Sequence, residues 1–127
     1  MNVPDDRRYT EAHEWATTTA DGNVRLGITD YAQEALGDIV YVELPSVGTE
    51  FAAGATLAEV ESTKSVADVY APLAGVVASV NEALNDQPEL INSDPYGDGW
   101  FVELTAGDAS GLESMLDAAA YGALIED

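Results

Sequence analysis

The chain has 127 residues, 46% of them apolar, enough for one domain to bury roughly two-thirds of its unfolded surface around a single core. Twelve Asp and twelve Glu stand against three Arg and one Lys, a net charge of −20 that disfavours nucleic acid and anionic membranes as partners. With no Cys there is no disulfide framework, thiolate metal site or cysteine nucleophile, and no apolar run approaches membrane-spanning length.

The start, Met1-Asn2-Val3-Pro4-Asp5-Asp6, has the pattern of neither a signal peptide nor a transit peptide, so a cytoplasmic protein is expected. Residues 1 to 12 are polar and lead into His13-Glu14-Trp15. Asp21-Gly22-Asn23 is a turn signal, followed by Val24 to Ile28, which alternates like a strand. Thr29-Asp30 can cap a short helix through Leu36, with Gly37 as its left-handed stop. Ile39 to Leu44 is β-branched and aromatic and ends at Pro45, which predicts a strand. Short strands are predicted near 55–61, 66–71 and 75–80, then one helical turn within 86–92 and a strand over Gly99 to Leu104. The period then changes: Leu112, Met115, Leu116, Ala119, Ala120 and Leu124 fall at helical spacing, giving one or two terminal helices.

Closely spaced short strands with helices at the margins predict a mainly β barrel or sandwich, a single domain over 1–127. A weak repeat supports it: Val42-x-x-Pro45-x-x-Gly48 recurs 27 residues later as Val69-x-x-Pro72-x-x-Gly75, suggesting two similar half-barrels. The acids are dispersed rather than gathered in a tail, which points to a whole surface made acidic. At about 1 M salt the screening length falls to about 3 Å and self-repulsion largely vanishes, so the composition reads as adaptation to a salt-rich cytoplasm. The competing reading is an acidic protein that binds a basic partner.

The chain keeps one lysine, Lys64. Val60 and Ser62 lie on one strand face with Glu59 and Glu61 on the other; beyond the lysine, Val66, Asp68 and Tyr70 alternate with Ala67 and Val69. The small or polar Ser62-Thr63-Lys64-Ser65 between them suits a turn, so Lys64 belongs at the tip of a β-hairpin. Most turn lysines are simply solvated. In a chain stripped of every other lysine, the survivor needs its amine, and an exposed amine at a rigid tip suits amide formation with a carboxylic-acid cofactor.

Glu61-Ser62-Thr63-Lys64-Ser65-Val66-Ala67-Asp68-Val69-Tyr70-Ala71-Pro72 closely resembles the lipoyl-lysine motif of the glycine cleavage system H proteins. Tyr9 to Trp15, Gly27 to Asp38, Val80 to Leu84 and Asn92 to Trp100 resemble the same family, in the right order and across nearly the whole chain. Biotin carriers share the hairpin but set the lysine between methionines, where this chain has Thr63 and Ser65. Lipoyl domains of 2-oxoacid dehydrogenases lack the His13-Glu14-Trp15 segment, the Asp94-to-Trp100 segment and the terminal helices.

The resemblance implies a barrel-sandwich hybrid of the lipoyl/biotinyl type, with short flanking helices and a C-terminal helical segment. It implies lipoate joined by an amide to Lys64, and a carrier rather than a catalyst. The implied partners are a pyridoxal-phosphate glycine decarboxylase, a tetrahydrofolate-dependent aminomethyltransferase, dihydrolipoamide dehydrogenase and a lipoate-attaching enzyme. A monomer is expected. The rival readings are a lipoyl or biotinyl carrier for another complex, and an acidic interaction module that is never modified.

Other motifs carry little. With one His and no Cys, neither a catalytic triad nor a three-ligand zinc site is possible, and no metal is expected. Asp94-x-Tyr96-x-Asp98-Gly99 glances at a calcium loop, but Tyr96 and Thr105 occupy ligand positions. Trp15, Tyr41, Tyr70 and Trp100 read as core or cleft-lining aromatics. A loaded arm needs a carboxylate for its amine, and Glu14 and Asp68 are the candidates for docking it.

Overall fold

The structure, a computed structural model, describes residues 2–106 and 109–125. Among the described residues the strands are β1 (Arg8–Tyr9), β2 (Glu14–Thr18), β3 (Val24–Ile28), β4 (Ile39–Glu43), β5 (Glu50–Phe51), β6 (Thr56–Ser62), β7 (Val66–Tyr70), β8 (Gly75–Val80) and β9 (Val102–Thr105). They form two antiparallel sheets, one ordered β1-β2-β3-β9-β8-β5 and one ordered β4-β6-β7. This is the mainly β, two-sheet architecture expected of a barrel-sandwich hybrid.

Alternation decides which side of each strand is buried. Val24, Leu26 and Ile28 from β3, Val42 from β4, Val60 from β6, Val69 from β7, Val77 from β8 and Leu104 from β9 meet in one core between the sheets. Each such side chain contributes roughly 1.5–3 kcal/mol of burial. A second cluster gathers Tyr9, Trp15 and Tyr121, and so ties the C-terminal helix α4 (Ala118–Ile125) to β1 and β2.

The repeat has a structural meaning. β4 and β7 flank β6 in the three-stranded sheet, whereas β5 and β8, which follow Pro45 and Pro72, pair with each other in the other sheet. Each repeat therefore carries the chain across from one sheet to the other. Its glycines serve different ends: Gly48 sits at φ 92°, while a Cβ on Gly75 would lie 3.0 Å from the Thr105 carbonyl oxygen.

Helix α1 (Asp30–Leu36) forms as its caps dictate. Thr29 Oγ1 accepts the Ala32 N–H at 3.2 Å, and Gly37, at φ 85°, donates its N–H to Gln33 O at 2.9 Å. Elsewhere the elements depart from expectation. The single turn expected within 86–92 is two short helices, α2 (Ala83–Asp86) and α3 (Leu90–Ser93), because Pro88 interrupts the run. The strand expected from Gly99 begins only at Val102, since the Gly99 and Trp100 N–H groups turn back to Asp94 O and Gly97 O. The terminal segment is a 3-10 helix, Ala109–Ser114, followed by α4. Of the aromatics expected in the core or lining a cleft, Tyr41 and Tyr70 stand on the outer face of the three-stranded sheet, 50% and 39% exposed, and Tyr41 lines a cleft with Leu44, Pro45 and Val80.

Candidate functional site

The hairpin β6–β7 turns through Ser62 to Ser65, and Ser62 organises that turn. Its N–H donates to Ser65 O at 2.8 Å, and its hydroxyl oxygen accepts the N–H groups of Lys64 at 3.3 Å and Ser65 at 3.0 Å. Short side chains that accept from the backbone two and three residues on are what a tight turn requires. The tip is tied to its neighbour as well: Thr63 donates its N–H to Asp38 O at 3.1 Å, beside the Ile39–Ser62 pairing of β4 with β6.

Lys64 stands exposed on this braced tip, with its stem running past Gly37. A Cβ at Gly37 would lie 3.4 Å from Lys64 Cε and 4.0 Å from Nζ, so the end of α1 is the lysine stem's neighbour at contact distance. The sequence showed Gly37 as a helix stop; its nearness to Lys64 depends on the sheet pairing and carried no local signal.

Asp68 lies on the returning strand, exposed, with Glu59 directly across the pair. Glu14 is elsewhere and in a different state. It is 2% exposed at the start of β2, where Oε2 accepts the Tyr70 N–H at 2.8 Å and Oε1 accepts the Thr10 hydroxyl at 3.0 Å. Burial pushes its carboxyl above the usual glutamate range, and the two donors oppose that rise. Taken along β7 at about 3.3 Å per residue, Asp68 is roughly 13 Å and the Glu14–Tyr70 contact roughly 20 Å from Lys64. Lys64 sits in the turn, Asp68 on β7, and Glu14 on β2 meets β7 at the Tyr70 N–H, so the three do not converge on a point.

The partners of Glu14 were not legible in the sequence, since Thr10 precedes it by four residues but Tyr70 follows it by 56. The Asp94-to-Gly99 loop uses its acid internally: Asp94 Oδ2 accepts the Asp98 N–H at 2.9 Å. No helix among the described residues is long and apolar enough to cross a membrane.

Comparison with known proteins gives the chain's relatives. A family model of the glycine cleavage H-protein matches residues 7–127. The glycine cleavage system H protein of Mycolicibacterium vanbaalenii is 55% identical over 128 residues, covering 98% of this chain and 98% of its own length. The protein of the same name from Klebsiella pneumoniae subsp. pneumoniae is 52% identical over 126 residues, covering 99% and 98%. The crystal structure of a glycine cleavage system H protein from Mycobacterium marinum matches with a TM-score of 0.86 at 44% identity, over 95% of this chain and 97% of that one.

Proposed function

The chain belongs to the glycine cleavage H-protein family, and on that premise we propose that Lys64 is the residue that carries lipoate, as an amide on Nζ. The protein is a lipoyl-bearing shuttle of the glycine cleavage system, a carrier and not itself a catalyst. The observation that carries the assignment to Lys64 is its place: the one lysine of the chain stands exposed at the tip of a braced hairpin.

The residues present fit the group. The amine is reachable, and the flanking Thr63 and Ser65 are small and exposed. When bound, lipoate supplies the redox sulfurs that take up an aminomethyl group, chemistry a chain without Cys lacks. The protein supplies the tether, which raises the local concentration of the reactive end at each partner's site. Asp68 and Glu14 hold the cationic amine of the loaded arm, and the burial of Glu14 keeps water from it. The partners are glycine decarboxylase, the aminomethyltransferase, dihydrolipoamide dehydrogenase and a lipoate-attaching enzyme. The protein works as a single-domain monomer in the cytoplasm. Its surface, with two ion pairs among the described residues against 24 acids in the chain, suits a salt-rich one.

Peptide mapping of protein from its native cell tests the assignment, and a lipoyl mass on Lys64 is expected. An unmodified Lys64 in cells with an active glycine cleavage system would overturn it. A biotin mass there would transfer the protein to the carboxylase carriers.

A further inference from the structure

The place of the Lys64 amine is decided beneath the hairpin tip, at the corner where α1 turns into β4. The Thr63 N–H, one residue before the lysine, donates to Asp38 O at 3.1 Å, and the lysine stem lies alongside Gly37. Ile39 pairs with Ser62 where β4 begins. Gly37, Asp38 and Ile39 are therefore the seat of the tip. That seat is a turn, with Gly37 at φ 85° and Asp38 exposed, and a short exposed turn carries little rigidity of its own.

One side chain from another element grips it. Asn92, half-buried on α3, donates from Nδ2 to Gly37 O at 2.9 Å and accepts the Ile39 N–H on Oδ1 at 2.9 Å. These two backbone groups flank Asp38. The Ile39 N–H and the Asp38 carbonyl belong to the same planar trans peptide and point in opposite directions. Holding that N–H from one side therefore aims the carbonyl at Thr63 on the other. The remaining Nδ2 hydrogen goes to Gln33 Oε1 at 3.0 Å, and Gln33 is itself turned by donating Nε2 to Asp30 Oδ1 at 2.7 Å. Both donor hydrogens and the oxygen of the carboxamide are thus used, and the group fits only one way round. The grip has a firm base, because the neighbouring Ile91 is fully buried in the core.

We infer that Asn92 is a positioning residue for lipoate attachment: by holding the peptide units on both sides of Asp38, it fixes the seat of the hairpin tip and so the place at which Nζ is presented. Joining lipoate requires that amine at the activated carboxyl carbon, where a displacement of about 1 Å can cost about a hundredfold in rate. Asn92 lies 53 to 59 residues along the chain from the groups it holds and touches neither Lys64 nor its turn by a hydrogen bond of its own. It acts through Asp38.

The inference rests on the carrier reading, and the experiment separates the two. The unmodified chain is assayed as substrate of the lipoate-attaching enzyme as wild type, Asn92→Asp and Asn81→Asp, well below the melting temperature of each. Asn92→Asp keeps the acceptor for Ile39 but sets an oxygen against the Gly37 and Gln33 oxygens. Asn81→Asp is the matched control: its Nδ2 donates to Asp98 O at 2.7 Å and Trp100 O at 2.8 Å, so it loses the same kind of bonds at another loop. Both variants should melt lower than wild type. Only Asn92→Asp should lower kcat, by about tenfold, with KM within about twofold, and only there should protection of the Thr63 N–H against hydrogen exchange fall by about tenfold. Asn92→Ser, which shortens the side chain without adding charge, carries the same expectation and serves if the aspartate variant does not fold. Unchanged kcat in the Asn92 variants overturns the inference while the carrier stands. So does a fall in kcat with Thr63 still protected, or an equal fall in Asn81→Asp, which would be an effect of stability alone. A wild-type chain that takes no lipoate on Lys64 overturns the carrier reading and this inference with it.

Discussion

Glu14 closes the open edge of β7 by taking the Tyr70 N–H on Oε2 at 2.8 Å. β7 pairs on one side only, with β6, and an uncovered strand edge is a row of unpaired backbone groups. The other edge of that sheet is treated alike: Asn92 Oδ1 accepts the Ile39 N–H of β4 at 2.9 Å. The sheet that bears the Lys64 hairpin is therefore anchored at both margins by side chains from outside it.

Burying Glu14 has a consequence for pH. Desolvation raises its folded-state pKa above the unfolded value, near 4.3, so folding favours the protonated form. Its contribution to stability is full below that unfolded value and is lost as pH rises through the folded one. Against Glu14→Gln, which cannot ionise, wild type should lose relative stability over that window and level off above it. Urea titrations of both proteins at a series of pH values measure this, and a pH-independent difference would refute it. Glu14→Ala, which leaves the Tyr70 N–H without its acceptor, should cost about 1 kcal/mol or more at any pH.

The same carboxylate bears on the loaded arm. If Glu14 and Asp68 hold its amine, the aminomethylated form should decay faster in Glu14→Gln and Asp68→Asn than in wild type or Glu113→Gln. A charge-assisted contact of this kind is worth about 1.5–3 kcal/mol, or roughly one to two orders of magnitude in lifetime. Decay at the wild-type rate in all variants would show that neither acid holds the amine.

Two glycines should respond oppositely to alanine. A Cβ on Gly27 would lie 2.9 Å from Trp15 Cζ2 and Nε1, and that indole is fixed by its bond to Pro95 O at 2.9 Å and by the Arg7 guanidinium 4.7 Å above it. Gly27→Ala should destabilise by about 1–3 kcal/mol and perturb the near-ultraviolet signal of Trp15. Gly122, within α4, has no atom within 4 Å of its Cβ position, and Gly122→Ala should stabilise by about 0.5–1 kcal/mol. Denaturant melts of both variants decide the matter.

Salt should stabilise this fold. With Arg7–Asp6 and Arg25–Glu103 as the ion pairs among the described residues, most of the acidic surface is uncompensated. The melting temperature is expected to climb steadily between about 0.1 M and 1 M KCl as screening removes the repulsion. A flat profile would remove the adaptation to salt and leave the carrier assignment untouched.

Local rules explain which features were legible in the sequence. The α1 caps at Thr29 and Gly37, the hairpin around Lys64 and the crossover prolines each depend on a few adjacent residues, and they were readable for that reason. β1 and β5 have two residues each, too few for periodicity to register, and β5 exists only because the distant β8 pairs with it. The choice between core and cleft for Tyr41 and Tyr70 was not legible because aromatic strand residues fit either face, and only the register with Glu61 and Thr56 sets them outward. The Glu14–Tyr70 bond spans 56 residues and had no local signature.

The single histidine offers a last test. His13 Nδ1 is 2.9 Å from the Tyr121 hydroxyl, which is 2.7 Å from Thr29 Oγ1, and the His13 ring packs on Tyr31 with centroids 4.6 Å apart. Thr29 Oγ1 already accepts the Ala32 N–H, so its own proton can pass to Tyr121, whose proton then serves neutral His13 Nδ1. A protonated ring would have no lone pair to accept it. Burial acts in the same direction and lowers the His13 pKa below its ordinary value of 6.5. The stability it contributes is therefore present above pH 6.5 and is lost as pH falls through the folded-state value. Because the chain has one His, its ring resonance can be followed alone by NMR. The midpoint should lie below 6.5 in the folded protein and near it in urea. Tyr121→Phe removes the donor to the neutral ring, so its midpoint should move back toward 6.5, with a loss of about 1 kcal/mol in stability. A folded-state midpoint at or above 6.5 would mean that the Tyr121 hydroxyl does not serve a neutral His13.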